Sequence, residues 1–365
     1  SLSAGTRLAG VSGQCFDTIP HRQRRTTRWA SRDHSKVSFR IMKKFLLYSG
    51  IIIAILLVLY FGVAYTLVHV TSSHVSAQRS AIEAAGDKVF LTDYKTEPIP
   101  DEENAYYYLM LAAADLTAFD NAYAQLDYDF DHKLRAEQVA KLAALVNQYP
   151  QMYAHLEQAA ACEKYRPNVD YSQGVAMLMP HLTHFREAAR AMASKAIVQA
   201  YQGNGDQALT QCNSSLKLSS HVGTEPSLVS HLVHLAAQGI AVQCANHTLR
   251  VADTSPQARD NLDATLDALD NRRAAVDAMK SERAMGMQTF EQMRTGSLDP
   301  EATGEPALGP LSAVSGTWLG QAYLYDDEGR YIELLDLQIE AAAKERTERE
   351  QMMAPIEQEL EESSF

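Results

Sequence analysis

The chain has 365 residues, room for one large domain or two smaller ones, and 33 Lys plus Arg against 45 Asp plus Glu give it a net charge of −12. The charge is uneven: residues 1–41 hold eight basic and two acidic side chains, while residues 71–365 hold 23 basic and 43 acidic. An acidic main part argues against nucleic acid, whose phosphates need clustered Lys and Arg; four cysteines rule out a disulfide-stapled scaffold, and 46% apolar residues rule out wholesale disorder.

Residues 1–41 have no helical or strand period, and Arg22, Arg24, Arg25 and Arg28 crowd together. The chain starts with Ser, whereas Met42, Lys43 and Lys44 precede an apolar run in the layout of a natural start with a short basic region. Residues 1–41 are therefore expected to be a basic stretch foreign to the natural protein; the alternative is a cytoplasmic tail on anionic lipid. No Asp, Glu, Lys or Arg occurs between Phe45 and Gln78. The run from Phe45 to Val68 makes about 36 Å of helix, enough to span a bilayer core. Tyr48 lies near one end and Tyr60 and Tyr65 near the other, where amphipathic rings favour the headgroup level. A core helix of this length would carry a polar stripe, and a cleavable signal has a shorter apolar region, although Val75-Ser76-Ala77 resembles a cleavage site. An uncleaved signal anchor over 42–70 is the expectation. Arg40, Lys43 and Lys44 put the N-terminus in the cytoplasm and residues 71–365 outside.

A linker is expected over 71–100, ended by Pro98 and Pro100, then helices throughout 101–294. Asp101 can cap a helix to about Leu126. Val139, Leu142, Ala143 and Val146 share one face of a second helix, and Pro150 opens a third to about Lys164. A long helix should cover about 175–202 with a break at Pro180; Gly203-Asn204-Gly205-Asp206 turns the chain into a helix over about 206–219. Glu225-Pro226-Ser227 opens the next, to about Arg250, with Leu228, Leu232, Leu235 and Ala236 expected inward. Thr254-Ser255-Pro256 caps another with Leu262, Leu266 and Leu269 inward, and a further helix runs from Asn271 to about Arg294. Five glycines and three prolines predict a long loop over 295–327, pinned by Leu311, Trp318, Leu319 and Tyr323. A last helix starts near Glu328, with Ile332, Leu335, Ile339, Ala342 and Ala343 on its face, before an acidic tail over Glu357–Glu362. The expected fold is all-α: a transmembrane helix followed by antiparallel helix hairpins.

One stretch resembles a tetratricopeptide repeat: Ala196, Gly203-Asn204, Ala208-Leu209, Leu216 and Leu218 match its small and turn positions, without its large aromatic and closing proline. A generic hairpin is the alternative. More widely, Pro100-Asp101-Glu102-Glu103-Asn104-Ala105, Glu225-Pro226-Ser227-Leu228-Val229-Ser230 and Glu282-Arg283-Ala284-Met285-Gly286 resemble stretches of uncharacterised single-pass envelope proteins of planctomycete-type bacteria. The likeness covers about residues 42–350 and implies a bacterial cell-membrane location with an extracytoplasmic body. It brings no activity and no catalytic residue.

The sharpest chemical pattern is a pair of HxxH motifs, His181/His184 and His231/His234, with Glu187 near the first. Residues three apart share a helix face, so two packed helices could bring four imidazoles to one metal ion. Scattered histidines are the plainer reading, since neither pair is HExxH. Asp127-Tyr128-Asp129-Phe130-Asp131 starts like a calcium loop but has His132 and Gln138 where Gly and Glu are needed. Cys212 and Cys244 could bridge, although three buried thiols with Cys162 is the default. Met279, Met285, Met287 and Met293 fit core filling, and one ring of Tyr106-Tyr107-Tyr108 should be exposed. No GxSxG, Walker, GxGxxG or kinase signature occurs, and no cofactor is expected. The expected role is a membrane-anchored helical scaffold or protein-interaction module and not an enzyme; the alternatives are a metal-binding protein or metal-dependent enzyme on the four histidines, or a ligand sensor working through association of the membrane helix.

Overall fold

The computed structural model describes residues 34–126, 132–298, 316–345 and 347–354. Residues 1–33, the acidic stretch Asp127–Asp131, most of the expected Gly/Pro-rich loop including Leu311, and the acidic tail lie outside them. Among the described residues there are ten α-helices of eleven or more residues and no strand, so the chain is all-α. Contacts divide it into two units, Ser1–Tyr60 and Phe61–Phe365.

In the first unit the described residues belong to one helix, α1 (His34–Ala84), whose apolar side chains from Phe45 to Leu59 are exposed. The segment Met42–Ala84 is long and apolar enough to cross a membrane. A second helix, Leu228–Val251, meets the same length and composition test, with nearly half of its window buried in the protein.

In the second unit the helices are α2 (Ala105–Tyr123), α3 (Ala136–Val146), α4 (Pro150–Ala161), α5 (Leu182–Tyr201), α6 (Gly205–Val222), α7 (Leu228–Val251), α8 (Pro256–Asp267), α9 (Asn271–Thr295) and α10 (Trp318–Ala343). Local chemistry sets most starts. Ser227, Ser255, Asp270 and Thr317 each accept a backbone N–H of the first turn, and Pro150 and Pro256 occupy positions that need no N–H. The first cap of the body is Asn104, not Asp101: residues Asp101–Glu103 make a 3-10 turn, and the Asn104 amide accepts from Tyr106 N. The same side chain exchanges two hydrogen bonds with the Arg166 backbone, tying α2 to the extended segment after α4. Gly203 turns α5 into α6 at φ +84, a conformation that only glycine adopts without strain.

The main core lies among α2 to α8. Phe119, Leu142, Met152, Leu156, Phe185, Ile197 and Leu209 are fully enclosed. Between them α5 buries Ala188, Ala189, Ala191, Ala193, Ala196 and Ala200, whose small side chains let α6 and α7 approach it closely.

Beyond the apolar run, α1 continues as packed structure where a linker is expected from the sequence. Val75 and Ile82 of α1 meet Val89, Met287 of α9 and Ile332 of α10. Arg79 reaches Glu328 at 2.6 Å and Glu291 at 3.3 Å, and Arg294 pairs with the same two carboxylates. Glu328 is 0% exposed and the Arg294 side chain 3%. A few residues on, Asp87 takes Lys280 at 2.7 Å and Arg283 at 2.8 Å, and Arg283 also pairs with Asp336. Burial would raise the Asp87 carboxyl, but the bonds and charges of Lys280 and Arg283 overcome it and hold it below its ordinary value. Gly286 is required here: a Cβ would fall 2.2 Å from the Tyr331 ring, whose hydroxyl donates to the Glu282 carbonyl. The final helix starts ten residues before the expected point, because Thr317 caps it and Trp318 packs on Phe61 and Tyr65 of α1.

Glu328→Leu leaves two arginines short of a buried partner and should cost about 3–5 kcal/mol. Denaturant unfolding of the full chain in detergent checks it, and adding Arg294→Met should recover part of the loss. Gly286→Ala should cost about 1–3 kcal/mol by overpacking, with partial rescue by Tyr331→Ala.

Candidate functional site

Helix α7 carries the least expected feature of the body. The sequence pattern turns Leu228, Leu232, Leu235 and Ala236 inward. In the structure Leu232 is 57% exposed and Val229 53%, and Leu235, Ala236, Val242 and Leu249 also face out. The buried face holds Ser230, His231, His234, Gln238, His247 and Thr248, interleaved with Ala237, Ala241, Cys244 and Ala245. The reason is steric and polar together. The small side chains of α5 let α7 approach closely, and Ser230, His234 and Cys244 find partners on α6 and in the turn before α7, whereas His231 Nδ1 and Gln238 Nε2 have no hydrogen-bond partner.

The centre of this polar wall is Glu225, in the turn before α7 and nearly fully buried. Ser230 donates to its Oε2 at 2.9 Å, His181 Nε2 meets its Oε1 at 2.8 Å, and the Tyr165 hydroxyl donates to the same oxygen. Three donors from three segments thus satisfy one carboxylate. Tyr106 stacks edge-on against His181 at 5.6 Å, and His221 lies parallel to Tyr165 at 5.7 Å. Burial, then the charge of Glu225, pushes the Tyr165 and Tyr106 hydroxyls up; the same two causes bring Tyr171 to about 12. Burial holds the His221 imidazole below its ordinary value despite the nearby Ala159 and Cys162 carbonyls. His231 is lowered too, by burial and then by His234.

The four candidate metal ligands occupy separate positions in this architecture. His181 belongs to Glu225, while His184 Nδ1 faces Glu187 at 2.7 Å. His234 Nδ1 donates to the Ser219 carbonyl at 2.7 Å, and its Nε2 lies 3.3 Å from the Asn271 amide. The His231 and His234 rings are 6.0 Å apart. Among the described residues no three His, Cys, Asp or Glu side chains gather to hold a metal ion, and the four imidazoles of the alternative reading do not meet. His181, His184 and His234 are each held by a nearer partner, whereas the buried His231 Nδ1 has no hydrogen-bond partner.

Other side chains have modest chemical capacity. Ser230 donates to a carboxylate with no imidazole on its hydroxyl, which is not the arrangement of an activated nucleophile. Cys212 and Cys244 face each other across α6 and α7 with sulfurs 3.4 Å apart, both buried and unbridged; Cys162 is half-buried and also free. A bond to Cys212, then burial, raises the Cys244 thiol, which makes it a poor nucleophile. Beside the network, a cleft of about 400 Å³ opens between the α6–α7 and α8–α9 turns, lined by Tyr94, Thr224, Glu225, His234, Gln238 and Asn271. Sequence reasoning reads Glu225 as a helix start and passes over Tyr165. The only signal is the stretch Glu225–Ser230, whose two ends bond to each other.

The chain matches no family model, no curated protein and no solved structure.

Above 6.5, the ordinary imidazole value, His221 is neutral in folded and unfolded chains alike. Below it the unfolded chain takes up a proton that the buried ring resists, so stability should fall as pH drops below 6.5. Thermal melting over that range should show the slope, and His221→Gln should flatten it.

Proposed function

We propose that this protein is a membrane-anchored helical module that holds a protein partner, with its N-terminus in the cytoplasm and its body outside, in an envelope of the planctomycete type. One observation carries the reading: α7 presents Val229, Leu232, Leu235, Val242 and Leu249 as exposed apolar side chains. Contiguous exposed apolar surface of this kind marks an interaction site. The basic residues before the apolar part of α1 support the orientation, and the acidic body supports a partner other than nucleic acid. The polar wall behind α7 then acts as structure: it fixes the rotation of the helix, and so the direction of the face. The reading gives the protein no catalytic role.

The test is amine-reactive crosslinking in intact membranes. Leu232→Lys with Leu249→Lys should abolish the adducts and leave the melting temperature within about 2 °C, since exposed substitutions perturb folding little. Unchanged adducts would overturn the reading.

A further inference from the structure

We propose that the start of α10 is seated in the membrane interface: Trp318, Leu319 and Tyr323 meet the lipid of the leaflet on the body's side, a second membrane contact beside the apolar run of α1. This rests on the membrane-anchored reading of the chain and adds where its body meets the bilayer.

The level of Trp318 is set by α1. About twenty apolar residues cross a hydrocarbon core. Counted from Phe45, the first residue after Lys43 and Lys44, they end at Ala64. The Trp318 ring lies 6.2 Å from the Phe61 ring and 5.9 Å from that of Tyr65, residues on either side of that end. Trp318 therefore stands where hydrocarbon gives way to headgroups. Trp and Tyr favour that level, because one part of the side chain is apolar and another can bond to water. Trp318, Leu319 and Tyr323 are all exposed within the protein, and a soluble partner would have to enter the bilayer edge to reach them.

From there α10 rises alongside α1. Further along each helix Glu328 meets Arg79, and the Gly329 carbonyl accepts from Gln78 at 3.2 Å, so both run the same way. The change from apolar to polar comes at matching heights. On α1 the apolar run gives way to His69, Thr71, Ser72, Ser73 and His74. On the α10 side no Asp, Glu, Lys or Arg occurs from Pro306 to Tyr325, and then Asp326, Asp327 and Glu328 follow together. A cleft lined by His69, Ser72, Ser73, Arg79 and Tyr325 lies at that height. The exposed side of α10 reads Leu319, Tyr323, Asp326 and Arg330, at helical steps of four, three and four: two apolar bodies, then an ion pair at 2.9 Å. The Tyr323 hydroxyl bonds to Asp327, one turn further from the lipid. With no Lys or Arg in the contact, its grip comes from apolar depth and not from anionic headgroups, so phosphatidylcholine is a sufficient probe.

The experiment is depth-dependent fluorescence quenching of the full chain reconstituted in phosphatidylcholine vesicles. Trp29→Phe leaves Trp318 as the single tryptophan. Its emission should be quenched about twofold more by lipid brominated near the headgroup than by lipid brominated near the chain ends, and only weakly by iodide placed on both sides of the membrane. Two reference chains carry Trp29→Phe and Trp318→Phe as well. Arg330→Trp should respond to iodide and not to bromolipid. Leu56→Trp, in the middle of the apolar run, should respond most to bromine near the chain ends. Trp318 quenched by iodide as strongly as Arg330→Trp is in water, which overturns the proposal. Trp318 quenched by neither agent is covered by protein, either residues 299–315 or another chain, which overturns it too. So does strongest quenching by bromine near the chain ends, which would place the ring in the core. If Leu56→Trp still responds to deep bromine in these cases, the anchor stands and only the interfacial contact falls. If it responds to no bromolipid, the anchor falls as well.

Discussion

A carboxylate with no exposure to water needs compensating charge beside it. Glu328 is such a group, and its compensation comes from two other helices: Arg79 of α1 and Arg294 of α9. The requirement is directional. Guanidinium groups arrive from two helices, so the last turns of α1 are tied to α9 and α10, reinforced by Glu291 and by Asp87 with Lys280 and Arg283. Buried ion pairs contribute little net stability against a well-packed apolar alternative, but breaking one is expensive. Here they act as a lock on position. The last turns of α1 are thereby part of the folded body, and the helix that begins as an apolar segment ends as a packed one.

The second constraint is alanine. The small side chains of α5 let α6 and α7 pack close to it. Polar groups take inner positions: Ser230 bonds to Glu225 and His234 to Ser219, while His231 Nδ1 and Gln238 Nε2 have no hydrogen-bond partner. The outer positions mix valine and leucine with Ala236, Gly239, Gln243 and Asn246. The exposed face lies opposite these bonds, and those of Ser230 and His234 oppose a rotation of the helix that would hide it.

Much of this was legible in the residues. The all-α class, the long apolar segment and most helix starts follow from period and from caps such as Ser227, Ser255 and Pro150. Three features were not. Asn104 replaced Asp101 as a cap because a tertiary bond to Arg166 holds its side chain. The last helix began at Trp318 because ring contacts with Phe61 and Tyr65 outweigh the glycines nearby. The histidine pairs lay on common helix faces, as their spacing demands, yet their partners were carboxylates and a backbone carbonyl.

The sequence by itself determined helices, their caps and the apolar length of α1, because these depend on neighbours within a few positions. It could not determine which side of α7 is inside. Hydrophobic period alone does not say which face meets the neighbouring helices, and here the partners of the inner face, Cys212 and Ser219 of α6 and Glu225 of the turn, lie outside α7 itself. The tertiary structure also decided where the buried charges go. Arg79 and Glu328 are 249 positions apart, and nothing local to either announces the other. Only folding brings them together, and only then does the chain acquire a fixed body and a face turned outward.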